Sequence, residues 1–171
     1  MESLSRVHNK SSSKLITLKK ISNVNTSSNA VDFALLLARL GIAALMLVHG
    51  IPKLVMLLSG EPVQFPMVLG ISAELSLGFA VFAEVIASLF LLAGFATRLA
   101  VVPLIITMLA AALLVHGADP FSVKETSLLY LLVYVVLFYA GSGKYSVDYL
   151  LDKKAINKKQ GSALNDRTLA Y

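Results

Sequence analysis

Residues 33–58 read FALLLARLGIAALMLVHGIPKLVMLL. At 1.5 Å of rise per helical residue, this run is long enough to cross a hydrocarbon core of about 30 Å and still tilt. Its formal charges are Arg39 and Lys53, and Pro52 lies near its far end. So few charges over such a length read as a membrane span. Three further runs repeat the pattern: 75–97 with one charge, Glu84; 99–116, where Pro103 lies early and costs few helix bonds; and 121–140, with Lys124 and Glu125 near its start. The spacing predicts an all-α, polytopic membrane protein, an antiparallel four-transmembrane-helix bundle. Helices suit this solvent because they satisfy their own backbone groups.

The whole chain agrees with that reading. Of its 171 residues 57% are hydrophobic and 15% charged, where a soluble domain carries about 25% charged residues. Mean hydropathy is +0.76. Nine of the 25 charged side chains fall in 33–143, and the flanks hold the rest. The basic pI of about 9.5 is therefore a matter of membrane topology and not of nucleic-acid binding. Cysteine is absent, which removes disulfides, thiolate metal sites, Fe–S clusters and covalent c-type haem. No cofactor is expected to be bound covalently.

Three parts follow: a disordered polar and basic cytoplasmic tail (1–32), a four-helix transmembrane domain (33–151) and a polar cytoplasmic tail (152–171). The first tail has no apolar run able to form a signal-peptide core. Arg98 alone links the second and third spans, and Gly117-Ala118-Asp119-Pro120 is a turn signal before the fourth. The longer link, 59–74, contains Pro62 and Pro66, and its apolar patch 65–71 is expected at the membrane interface. With four spans, twelve of the fifteen Lys and Arg share one side with both termini. The positive-inside rule then predicts cytoplasmic termini.

Ionisable side chains inside a span are costly and need partners. His49 and Lys53 are four apart on one face of the first span. Glu84, His116 and Glu125 come from the other three, all in the outer half, with His116 and Glu125 the shallower. On the second span, Ala80, Glu84, Ala87 and Ser88 share a face of small residues, so Glu84 is expected to face the bundle. Two readings of the cluster stand together: a structural ion pair or hydrogen bond, and a site that exchanges protons with a quinone. A metal centre has suitable ligand types but no close ligand spacing. No residue is assigned as catalytic. The inner half holds Arg39, able to snorkel, with Arg98, Lys144 and Asp148; anchoring with either arginine paired to Asp148 is the simplest expectation, and an anion or partner-docking surface the alternative. Tyr130, Tyr134 and Tyr139 read mainly as packing aromatics.

The order of LARLGIAALMLVHGIPKL (37–54), the Glu84 helix, GFATRLA (94–100), His116, Glu125 and GSGKYSVD (141–148) resembles the DoxX family of bacterial four-helix membrane proteins. The likeness covers about 33–151. Relatives serve with a terminal quinol oxidase or a thiosulfate:quinone oxidoreductase. The resemblance implies a bilayer-embedded subunit with quinone or quinol as candidate ligand, an oxidoreductase partner subunit, and no metal or flavin centre of its own. The alternative is a non-catalytic assembly factor, or a carrier of a small solute or protons. Oligomeric state is not legible in one sequence.

Overall fold

The computed structural model describes residues 28–168, with side chains described for 29–157. Up to residue 27 the expected N-terminal tail lies outside the described residues. The chain divides into two units, Met1–Val31 and Asp32–Tyr171; of the first, only the opening turn of a helix is described. Five helices follow in order: α1 Ser28–Leu58, α2 Ala73–Ala93, α3 Thr97–Val115, α4 Phe121–Ala140 and α5 Val147–Thr168. The first four are long and apolar enough to span a membrane. There is no strand among the described residues. The segment expected as a C-terminal tail thus begins within α5.

Local chemistry explains the helix ends. Ser72 caps α2, its hydroxyl accepting from the Leu75 N–H, and Glu74 lies in the first turn beside the positive end of the helix dipole. At the other end Gly94 takes the left-handed conformation, with Phe95 N–H donating to the Phe90 carbonyl, a Schellman-type stop. The turn between α2 and α3 therefore comes earlier than the sequence suggests, and Arg98 sits inside the first turn of α3. The reason is remote in sequence. Ala96, with no capping side chain of its own, donates its N–H to Asp148 Oδ1 (2.6 Å), and Thr97 donates to Asp148 Oδ2 (3.0 Å). Asp148 N–H in turn donates to the Gly94 carbonyl. The start of α5 is thereby the N-cap of α3.

Two apolar clusters form the interior. One joins α1, α2, α3 and α4 around Met46, Leu91, Leu104 and Tyr134. The other centres on Leu77, Val81 and Val85, with Val63 and Phe65 from the 59–72 loop packed on it. The patch expected at the interface thus splits, since Met67 and Leu69 remain exposed. Large apolar side chains cover much of the outside of all four spans. Such a surface would be a liability in water and suits lipid.

Both α2 and α3 contain a π-helical turn, at Phe82–Ala87 and Ala111–Val115. Single π turns inside helices are often found at functional sites. Here one carries Glu84 and the other ends beside His116.

Candidate functional site

Glycine at position 50 lets α1 and α2 approach closely. A Cβ there would stand 2.9 Å from Val85 Cγ2 and 3.0 Å from both the carbonyl carbon and Cβ of Glu84. An added methyl would force the Val85 side chain to shift and the Glu84 turn to give by a few tenths of an ångström. Gly50→Ala should therefore destabilise the protein by about 1–3 kcal/mol, the usual range for overpacking, read as a lowered unfolding midpoint in mild detergent. An unchanged midpoint would show that the helices separate freely here.

This contact brings Lys53 of α1 onto Glu84 of α2. The Lys53 ammonium donates to Glu84 Oε1 in an ion pair. Glu84 is 2% exposed and Lys53 29%, so the carboxylate is the enclosed member. Lys53 Nζ also lies 5.9 Å from the centre of the Phe65 ring, a cation–π contact from the 59–72 loop. The other carboxylate oxygen, Oε2, is buried with no hydrogen-bond partner. Ser88 Oγ and the Tyr134 hydroxyl, also buried, share that condition. Buried polar atoms without partners are rare and point to strain, an unseen water or a ligand.

Around the pair is a pocket of about 300 Å³ with walls from every span. Met46, His49 and Lys53 come from α1, Glu84 from α2, Met108 and Ala111 from α3, and Thr126, Ser127 and Tyr130 from α4. His116 closes it at the end of α3. His49 meets the Tyr130 ring edge-on, centroids 5.8 Å apart, and Tyr130 tilts against Tyr134 at 6.1 Å. His116 Nδ1 lies 2.7 Å from Asp119 Oδ2 at the mouth, where both side chains are partly solvent-accessible.

Four of the five residues expected to converge thus line one pocket: His49, Lys53, Glu84 and His116. Glu125 does not. It is exposed and absent from the pocket wall, whereas its neighbours Thr126 and Ser127 are on that wall. Tyr130, Thr126, Ser127 and Asp119 complete the site without having been singled out for it. Tyr130 had a sequence signal, as one of three tyrosines on the fourth span. The two small hydroxyl residues had none. Among the described residues, no group of three His, Asp or Glu side chains is arranged to hold a metal ion.

The inner-half set is organised differently from expectation. Arg39 does not snorkel: it is 1% exposed, with Nη1 donating to the Ser142 carbonyl (2.9 Å) and Nη2 to the Tyr145 carbonyl (2.6 Å). The 141–146 loop folds over it and supplies the oxygens that headgroups would otherwise provide. Asp148 spends both oxygens on the N-terminus of α3, so the expected ion pair with Arg39 or Arg98 is replaced by a helix cap. Lys144 pairs with Asp32 of α1 (3.0 Å). Arg98 reaches the Tyr139 carbonyl (3.3 Å) and, with Asp148, lines a separate polar hollow at this end. These residues secure the inner end of the bundle.

Residues 34–117 match the family model described as DoxX. The match takes in α1 from its second turn, α2, α3 and the loop beyond, and so includes His49, Lys53, Glu84 and His116, while α4 and α5 lie outside it. No curated protein and no solved structure matches the chain significantly.

Proposed function

We propose that this chain, which matches the DoxX family model over residues 34–117, is a quinone-linked subunit of a membrane redox complex, working with an oxidoreductase partner and lacking a metal or flavin centre of its own. One observation carries the reading: Glu84, whose Oε2 is enclosed and unpartnered, lines a pocket with two imidazoles and an ammonium. A quinol head offers the hydroxyl donor that oxygen lacks, and a quinone head offers a carbonyl acceptor for Lys53. A quinol bound there would supply two electrons to the partner's acceptor and release two protons. Glu84 is placed to receive a proton, with Lys53 holding the carboxylate in position. His116, hydrogen-bonded to Asp119 at the mouth, offers the proton an exit to water. His49, held edge-on to Tyr130, walls the pocket on the α1 side.

Purification in mild detergent and extraction of lipid-soluble molecules tests this. Near-stoichiometric quinone is expected from the parent protein, and much less from Glu84→Gln at an unchanged unfolding midpoint. A folded parent that carries no quinone, and binds none when it is added, would return the site to the assembly-factor or carrier alternative.

The same reading places the protein in the bacterial inner membrane with both termini cytoplasmic, supported by the twelve-of-fifteen Lys/Arg bias. Reporter fusions at Ser28 and Asp166 should read cytoplasmic, and fusions at Gly60 and Asp119 external. An inverted pattern would move the Glu84 pocket to the cytoplasmic half and reverse the direction of proton release.

A further inference from the structure

The ion pair at Lys53 and Glu84 borders more than one cavity. A second, of about 420 Å³, is also lined by Lys53, Glu84 and His116. Its other walls are mainly apolar, from α2, α3 and the 59–72 loop. A third, of about 540 Å³, lies between α2 and α3 nearer the inner turn and reaches Phe95 and Leu99. Ile106 lines both of these, so the two are neighbours on the same seam. An apolar groove therefore runs from the buried carboxylate along the α2–α3 seam. From Ala110 to Leu99 alone, α3 rises about 16 Å. Phe79, Phe82, Phe90, Leu99 and Ile106 along it are exposed, so the groove opens sideways to lipid.

We infer that the α2–α3 seam is the entry gate and tail subsite for a ligand with a compact head and a long hydrocarbon tail, the head seated at Lys53–Glu84 and the tail directed toward the inner turn. This rests on the head-group reading above and adds to it the route and the tail. Any lipid chain could fill an apolar groove. What narrows the occupant is its contact with Glu84, which lines the groove's head and keeps one carboxylate oxygen without a partner. A phospholipid would bring its phosphate against that carboxylate, and a water-soluble ligand would leave the groove unused. A neutral head on a long tail satisfies both ends.

The test uses two probes in nanodiscs: a benzoquinone carrying one isoprene unit and the same head carrying six, each corrected for partition into empty discs. The parent should bind the long-tailed probe at least tenfold more tightly. Ile106→Trp, which fills the groove at its junction, should abolish that preference by weakening long-tail binding far more than short-tail binding. Leu99→Trp, at the far end, should reduce it only partly, and serves if the first variant does not fold. Equal affinity of the parent for both probes would overturn the tail subsite while leaving the head reading intact. A preference that survives Ile106→Trp would overturn its placement on this seam. Failure of both probes to bind would overturn the head reading and this inference with it.

Discussion

Lys53→Met lowers the stability of the protein in mild detergent by about 3–5 kcal/mol, the range for breaking a buried pair by removing one partner, while Glu84→Gln costs much less. The asymmetry follows from burial. Glu84 is almost fully enclosed and Lys53 is 29% exposed, so the two variants strand different charges in different places. Without Lys53, the carboxylate keeps neither partner, since Oε2 already has none. Without the Glu84 charge, the Lys53 ammonium retains the face of Phe65 and can extend toward the outer surface. The double variant Lys53→Met with Glu84→Gln should recover most of the loss, because it removes both charges and leaves a pair of similar volume. Unfolding midpoints of the four proteins form a double-mutant cycle that reads the coupling directly. Equal losses in the two single variants would mean that Lys53 is held as tightly as Glu84 and cannot extend toward the outer surface. Activity separates role from stability: the double variant should be stable and still fail in quinone binding, because it offers neither the carboxylate to a quinol hydroxyl nor the ammonium to a quinone carbonyl.

The four spans were legible because lipid imposes a length and a polarity that composition cannot disguise. Glu84 was legible for a related reason: the small residues Ala80, Ala87 and Ser88 beside it mark a face that a neighbouring helix can approach. A row spaced by four residues drifts round an α-helix of 3.6 residues per turn. The π turn at Phe82–Ala87 is wider and offsets that drift, which keeps Ala80, Glu84 and Ser88 together inside the bundle. Nothing in the local sequence announces that turn. Glu125 and Thr126 differ by one position, and helical phase at the start of a span is too loosely set to say which points inward. Most of the inner end was illegible because its contacts are long-range. Arg39 meets the 141–146 loop more than a hundred residues later, and Asp148 caps a helix that begins 51 residues earlier. Propensity and hydropathy act over a turn or two and carry no record of such pairs.

Gly94→Ala should show how much the bundle depends on that inner end. Gly94 holds φ at 67°, a conformation that costs a residue with a Cβ about 1–2 kcal/mol by itself. The larger effect is space. An added Cβ would stand 2.6 Å from Arg39 Cζ and 2.7 Å from Ser146 Cβ, neither of which can move alone. Arg39 is buried with its guanidinium fixed on two loop carbonyls, and Ser146 is tied into the same loop through Gly143. Displacing Arg39 strips a buried charge of its acceptors, which costs several kcal/mol more. The damage should spread, because the Gly94 carbonyl also receives the Asp148 N–H, and Asp148 is the cap of α3. The expected result is a total loss of about 4 kcal/mol or more, or failure to accumulate in the membrane. The amides of Ala96, Thr97 and Asp148 should also lose protection from hydrogen exchange. Gly78→Ala is the internal control, since an added Cβ there meets nothing within 4 Å and replaces a poor helix former with a good one. It should be neutral or mildly stabilising. If Gly94→Ala matches that control, the inner end is not a clamp, and Arg39 must hold its place by other means than the loop folded over it.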